Sequence, residues 1–441
     1  MSKKLLANWI VAIADILVLI IVFYISLAIR VNLPQDIFPT MQDISIQDFG
    51  FIIFISFIML VYENIYRFRY DFWQDTLNVI KALLLSYILV LAILSLSKIN
   101  LEYSRTFITI YFMTAVLIVP IAKRFTKKAL FKGNKFFRIS TLLIGDDIET
   151  QILTRELKDN WYLGQIPAQE TSYDSVIIVS KNLSKDKLNS YITKYTQNIK
   201  DVFVVPYVTQ INFAHSNILE LSNIRNNLIQ IENKLLIKSN LFIKNLFDLI
   251  VSIIVLPIFL IIHIIISIAI KLDDSGSIFF KQQRLGKDGK VFEVYKYRTM
   301  YQDSDDILQQ YLQNHPQEIE YYQKYHKYTN DPRITKIGKF LRSTSLDELP
   351  QILNVLKGEM SIVGPRPYML DEESLLYSVK DLILQVKPGI TGLWQVSGRN
   401  NLTFQERTEL ESWYIKNWSL WFDFVIIVKT IKVVFLKVGA R

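Results

Sequence analysis

The sequence predicts a chain of three parts: a membrane α-helical bundle, a Rossmann-like α/β domain, and an α-rich α/β domain carrying a re-entrant membrane helix. Three observations lead there. Long apolar stretches are confined to residues 9–122 and 246–270, β-branched runs alternate with amphipathic segments over 139–206, and Gly, Pro, Arg and carboxylates concentrate between 271 and 412. At 441 residues and roughly 150 residues per domain, the chain holds two to four units, read here as 1–135, 136–235 and 236–441. Hydrophobic residues at 51%, charged residues at 21% and a mean hydropathy of +0.23 are too apolar for a soluble enzyme and too charged for a bare bundle. The absence of Cys excludes disulfides, thiolate nucleophiles and Cys-ligated metals, and His215, His263, His315 and His326 lie too far apart in sequence to suggest zinc. The net charge of +9 suits an anionic membrane surface or a phosphorylated substrate. Nucleic acid is not expected, because the basic residues sit beside apolar stretches and no binding motif occurs.

Residues 9–29 carry one charge, Asp15, and cover the roughly 30 Å of a hydrocarbon core. They lack a small-residue cleavage site and are read as a retained span. Residues 50–66, 77–97 and 107–122 give three more spans, with Glu63, Lys81 and Pro120 tolerated near helix ends. Lys3, Lys4, Arg67, Arg69 and the run Lys123, Arg124, Lys127, Lys128, Lys132, Lys135 and Arg138 flank these spans, whereas 31–48 has no Lys or Arg. Both ends of the bundle are therefore expected on the cytoplasmic face, with the 123–138 run against anionic lipid.

The runs 139–144, 175–180 and 202–206 read as strands separated by amphipathic helices near 147–158 and 186–197. A dinucleotide binder needs G-x-G-x-x-G after the first strand; this chain has Gly145-Asp146-Asp147, so a structural or regulatory domain without a cofactor is expected.

The stretch 246–270 is long enough to span, but Pro257 sits in its middle. Lys234, Lys238 and Lys244 precede it and Lys271, Lys281, Arg284 and Lys287 follow, so basic residues flank both ends. That pattern predicts a helix–break–helix over 242–270 that dips into the cytoplasmic leaflet and returns, with Asp248 and His263 near the interface. The segment 413–438, with Trp413, Trp418, Trp421 and spaced Lys, reads as an interfacial amphipathic helix, with core packing as the competing reading.

The segments KLDDSGSIFFKQQRLGKDGKVFEVYKYRTMYQDSDD (271–306), NDPRITKIGKFLRSTSLDELPQILNVLKGEMSIVGPRP (330–367) and KPGITGLWQVSGRN (387–400) resemble the bacterial sugar transferase family. These are the monotopic phosphoglycosyl transferases; the similarity covers about 240–441, and the preceding spans and α/β domain match the long subgroup. The resemblance implies transfer of a hexose 1-phosphate from a UDP-sugar, with UDP-galactose or UDP-glucose favoured, to undecaprenyl phosphate. It further implies release of UMP, initiation of surface polysaccharide (O-antigen, capsule or exopolysaccharide) synthesis, and Mg²⁺ as cofactor. It implies a covalent phosphosugar–Asp intermediate, a helix broken at a proline such as Pro257, and residence in the bacterial inner membrane with the catalytic part cytoplasmic and membrane lipid as partner. A homodimer is left open.

By the same resemblance the nucleophile lies five residues beyond the Arg of Lys296-Tyr297-Arg298-Thr299-Met300, at Asp303, which would also hold the metal. Ser304 stands where small members carry Glu, so Asp305 or Asp306 would supply the second carboxylate. A carboxylate near Arg298 at a helix start would be kept ionised by the cation and the helix dipole. The competing reading makes Asp303 or Ser304 only the N-cap of the helix marked by Ile307, Leu308, Tyr311 and Leu312. Ser345-Leu346-Asp347-Glu348 reads as a capping box that accounts for Glu348, while the resemblance makes Asp347 a candidate for Mg²⁺ or substrate contact. Arg366, between Pro365 and Pro367, is the leading phosphate ligand because the prolines fix the backbone around a planar guanidinium. Arg284, Arg298, Lys339 and Arg342 are its companions, and Trp394 with Arg399 would face uracil, sugar or diphosphate. The non-enzyme alternative is an inactive membrane scaffold, suggested by Ser304 alone.

Overall fold

The computed structural model describes residues 3–34, 44–96, 104–133, 135–145, 148–168, 172–206, 217–221, 226–230, 233–315, 318–319, 331–398 and 402–435. The chain forms two compact units, Met1–Val208 and Thr209–Arg441.

In the first unit, helices α1 (Lys3–Val31), α2 (Ile46–Tyr62), α3 (Phe72–Leu96) and α4 (Arg105–Lys127) pack around Leu19, Phe23, Ile52, Leu83, Phe107 and Tyr111. Helices α1 and α3, together with α4 and its continuation to Lys132, are long and apolar enough to cross a membrane; α2 is shorter. Ser45 and Ser104 cap α2 and α4 by accepting from the backbone N–H of Asp48 and Phe107.

The basic run that begins in the last turns of α4 departs from the lipid-facing expectation at two positions. Lys123 and Lys127 are buried, paired with Asp15 and Asp75 at 2.6 Å each. Acids inside a bundle need counter-charges, and lysines on the adjoining helix supply them. The hydroxyls of Tyr66 and Tyr162 donate to the same two carboxylates at 2.9 and 2.7 Å.

The α/β part has β1 (Ile139–Ile144), α5 (Ile148–Asp159), β2 (Gln165–Pro167), β3 (Ser175–Val179), α6 (Lys185–Thr196) and β4 (Asp201–Val205). Its four strands form an all-parallel sheet in the order β2-β1-β3-β4, with Leu142 opposite Val176 and Val176 opposite Val202. The predicted alternation appears as strands crossing over through helices, with the short β2 added at one edge.

The second unit begins with a hairpin, β5 (Asn217–Leu221) and β6 (Asn226–Gln230), then α7 (Lys238–Asp273). Helix α7 runs uninterrupted through Pro257, so the predicted break is not a gap in the helix. Long, exposed isoleucine faces including Ile254, Ile258, Ile261 and Ile265 flank a narrow buried stripe of Lys244, Asp248, Ser252, Phe259, Ile266 and Ile270.

That stripe docks on the rest of the unit at both ends. Before Pro257, Lys244 Nζ donates to Asp423 Oδ2 at 2.7 Å and to the Val363 carbonyl at 3.0 Å. Asp248 accepts from the Ser361 hydroxyl at 2.7 Å and the Ile362 N–H at 3.1 Å. After Pro257, His263 pairs with the Tyr297 hydroxyl at 2.9 Å, and Asp273 accepts from the Ile337 N–H at 2.9 Å.

The elements so gripped are β7 (Phe279–Leu285) and β8 (Val291–Tyr297), an antiparallel pair; α8 (Ser304–Asn314); α9 (Lys336–Thr344); α10 (Ile352–Leu356); β9 (Ser361–Val363); α11 (Lys380–Leu384); β10 (Gly389–Thr391), parallel to β9; α12 (Leu393–Ser397); α13 (Phe404–Lys416); and α14 (Leu420–Phe435). Leu349 packs into both hydrophobic clusters of this unit, one around Val294, Ile362 and Tyr414 and one around Ile266, Tyr297 and Leu341. The C-terminal segment corrects one expectation: Trp418 is core, donating to Asp423 at 2.9 Å, although Phe424 and Ile431 remain exposed on α14.

Removing Lys244 strips a buried carboxylate of its cation, which costs about 3 kcal/mol. Lys244→Ala should lower the thermal midpoint of the purified protein in detergent, measured by circular dichroism. Lys281→Ala, which breaks the exposed pair with Glu293, should leave the midpoint unchanged.

Candidate functional site

Strand β8 ends at Tyr297 and leads into Arg298-Thr299-Met300, whose geometry follows from the exit of α7. Arg298 donates through Nη1 to the Ser275 carbonyl and through Nη2 to the Asp274 carbonyl, both at 2.9 Å, and pairs with the Asp274 carboxylate at 3.0 Å. Gln302 N–H donates to that carboxylate at 3.1 Å. Gly276 permits this latch: its φ is +125°, and a Cβ there would lie 2.4 Å from Arg298 Nη1.

Next to the latch opens a cavity of about 710 Å³, within the range of small-molecule sites. Its walls include Lys296, Arg298, Arg342, Asp347, Glu348 and Trp394. A smaller cavity of about 250 Å³ shares Lys296, Glu348 and Trp394 and adds Arg284 and Arg366. Basic side chains therefore converge on one acidic pair.

Lys296 Nζ donates to Glu348 at 2.8 Å, and Arg342 Nε donates to Thr299 Oγ1 at 3.0 Å. Burial and the like charge of Glu348 push the Asp347 carboxyl up to about 6, against the pull of Lys296 and Arg342. Arg284 is buried beside Arg366, which lowers its pKa, and sits 4.0 Å from Glu372.

The capping-box expectation for Glu348 fails. Ser345 has φ +56°, its side chain caps nothing, and residues 346–351 form a 3₁₀ turn. The capping box in this unit is Thr403 with Glu406, at the start of α13. Glu348 is thus free of capping and faces the cavities, which its sequence context had hidden.

Asp303 occupies the N-cap position of α8 without a side-chain bond; it is exposed and outside the cavity wall, although Gln302 and Ser304 line it. Asp305 and Asp306 are exposed on the first turn of α8, and Lys339 is exposed on α9 away from both cavities. Arg399 lies outside the described residues. Lys296, Glu348 and Gln395 were missed as candidates, although all three lie inside the quoted segments 271–306, 330–367 and 387–400.

Among the described residues no group of three His or acidic residues could hold a metal. Mg²⁺, however, needs only one or two carboxylates when substrate phosphates complete its shell, and the adjacent carboxylates of Asp347 and Glu348 fit that donor set.

Comparison with known proteins gives the chain's relatives. The bacterial sugar transferase family model matches residues 239–437. An uncharacterized sugar transferase of Haemophilus influenzae is 34% identical over 414 residues, 85% of each chain. The undecaprenyl-phosphate galactose phosphotransferase of Salmonella typhimurium is 33% identical over 412 residues, 85% of this chain and 84% of that protein. The UDP-glucose:undecaprenyl-phosphate glucose-1-phosphate transferase of Escherichia coli is 36% identical over 239 residues, 52% of this chain and 48% of that protein.

Because the folded Asp347 carboxyl titrates near 6 rather than 3.8, its ionised form costs stability above about pH 6 and nothing below 3.8. Asp347→Asn should therefore melt above the wild type at pH 8, with the gain vanishing as the pH falls to 4.

Proposed function

The chain belongs to the bacterial sugar transferase family, and on that premise we propose that it transfers a hexose 1-phosphate from a UDP-sugar to undecaprenyl phosphate, releasing UMP and initiating a surface polysaccharide. The observation carrying this reading is the Asp347–Glu348 pair set in a cavity walled by Lys296, Arg298 and Arg342. Displacement at a diphosphate needs a nucleophile and fixed positive charge on the phosphate oxygens, and that wall supplies both.

We assign the nucleophile to Asp347 in place of Asp303. A carboxyl titrating near 6 is ionised at neutral pH yet more basic than a surface Asp. An Oδ of Asp347 attacks the phosphorus that bears the sugar; the bond from that phosphorus to the bridging oxygen breaks, and UMP leaves with the electron pair. A phosphate oxygen of undecaprenyl phosphate then attacks the same phosphorus, the Asp347 O–P bond breaks, and the carboxylate is restored.

Arg342, Arg298 and Lys296 hold the phosphate oxygens, and Arg366 with Arg284 holds a phosphate in the adjoining cavity. Asp347 and Glu348 would hold Mg²⁺, which when bound adds positive charge beside the diphosphate. With this acidic pair in the cavity, Ser304 removes no carboxylate that the reaction needs, and the scaffold reading loses its support.

We infer the membrane topology from the two anchors of α7. Asp248 and Asp273 are about 37 Å apart along a straight helix, more than a hydrocarbon core of about 30 Å, yet both are held by one domain, at Ile362 and Ile337. A crossing helix would put those two anchors on opposite faces of the bilayer. Re-entry, or embedding along one leaflet with Pro257 bending the helix, would keep them together, and a cavity at head-group level on the cytoplasmic face is where a lipid phosphate and a soluble nucleotide sugar can meet.

Two measurements test the reading. Purified protein with Mg²⁺ and undecaprenyl phosphate should release UMP from UDP-galactose or UDP-glucose in a panel of UDP-sugars. Asp347→Asn should reduce that release by at least about 10³-fold, while Asp303→Asn should keep it within about 10-fold; the reverse ranking would return the nucleophile to Asp303.

A further inference from the structure

Glu411, on α13, takes no part in the chemistry above, yet its side chain is almost completely buried, with 1% of the residue exposed. A buried carboxylate is costly unless its oxygens are satisfied, and both are. Oε1 accepts from the Arg366 backbone N–H at 2.7 Å, and Oε2 accepts from the Tyr368 hydroxyl. Pro365 and Pro367 have no N–H, so Arg366 offers the lone backbone donor between Gly364 and Tyr368, and Glu411 takes it.

The opposite side of this segment lies hard against 387–391. Gly364 N–H donates to the Thr391 carbonyl at 2.9 Å, Gly389 N–H donates to the Pro365 carbonyl at 2.8 Å, and a Cβ on Gly364 would come within 2.7 Å of the Lys387 carbonyl oxygen. The loop is clamped between that backbone and Glu411. From it the Arg366 guanidinium reaches the smaller cavity, with Nη2 donating to Glu372 at 3.3 Å.

We propose that Glu411 is a positioning residue: by holding the Arg366 N–H and the Tyr368 hydroxyl at once, it fixes the 364–368 loop so that the Arg366 guanidinium stands ready for a substrate phosphate. This rests on the reading of Arg366 as a phosphate ligand. The role needs two acceptor oxygens, and protonation turns one of them into a donor. Burial raises the Glu411 carboxyl to about 7, against the hydrogen bonds from Tyr368 and the Arg366 N–H and the charges of Arg366 and Arg407. Glu372 faces Tyr368 and Arg366 from the next turn, and Arg284 lies beside both Arg366 and Glu372. Activity should therefore carry an acid limb near pH 7 that originates here.

The test uses the full chain in detergent and UMP release from UDP-galactose or UDP-glucose with undecaprenyl phosphate. Arg366→Ala should lower kcat/KM by about 100-fold, Glu411→Ala by a similar factor, and the double variant no further than Arg366→Ala alone. Glu411→Gln, which like the protonated acid offers one acceptor and one donor, should lower kcat/KM at pH 8 to the level the wild type reaches on the acid side of its limb, and should show no limb near pH 7. Tyr368→Phe should move that limb to higher pH, because a bond favouring the charged form is gone; this variant and Glu411→Gln carry the test should Glu411→Ala fail to fold. Independent, multiplying losses in the double variant, or an unchanged limb in Glu411→Gln, would overturn the proposal. An active Arg366→Ala would instead overturn the reading of Arg366.

Discussion

The second unit depends on the double attachment of α7. A helix with this much exposed isoleucine has no reason of its own to lie on a polar domain. What holds it is a thin line of polar side chains along one face: Lys244 and Asp248 bonded to β9 and Asp423, then Asp273 bonded to the start of α9. Asp423 is shared, taking the Tyr414 hydroxyl at 2.6 Å and the Trp418 indole N–H at 2.9 Å, so the helix, the Val363 strand and the C-terminal helix form one buried polar network. Such networks are stabilising only when complete, and this one is complete around Asp423.

Catalytic geometry grows out of that attachment. The last turn of α7 passes into Asp274, which clasps Arg298, and Arg298 directly follows the strand that carries Lys296, which is bonded to Glu348. The helix that meets the membrane and the acidic pair in the cavity are thus two or three hydrogen bonds apart. In the proposed reaction the substrate's charge would be met from the end of β8, α9, the 346–351 turn and the 364–368 loop; Arg298 is braced by Asp274 and the Arg366 N–H by Glu411, neither of which lines the larger cavity.

Much of the fold was legible because it rests on periodicity. The spans, the parallel strands with crossover helices and the basic flanks of 246–270 are patterns of residue type, which sequence displays directly. The misread features were tertiary. Lys123 and Lys127 looked like a solvated or lipid-facing run because their partners, Asp15 and Asp75, lie far away in the chain. Pro257 looked like a helix break, but the helix assignment continues through it. Glu348 fitted a capping box at the right spacing, yet Ser345 adopts the left-handed backbone of a C-cap closing α9 rather than the extended backbone of an N-cap, and this freed Glu348 for the cavity. Asp303 was favoured by its distance from Arg298 in sequence, whereas the fold turns Asp347 into the cavity and leaves Asp303 in solvent. Glu411 gave no signal at all, since a carboxylate on an amphipathic helix is ordinarily a surface residue.

Because the chain has no Cys, the sidedness of α7 can be measured with single introduced cysteines at Ser239 and Ser275, which bracket the helix. Both should react with a membrane-impermeant maleimide from the same face of sealed vesicles, the cytoplasmic one. Reaction from opposite faces would mean that α7 crosses the bilayer, and would contradict the attachment of both its ends to one domain.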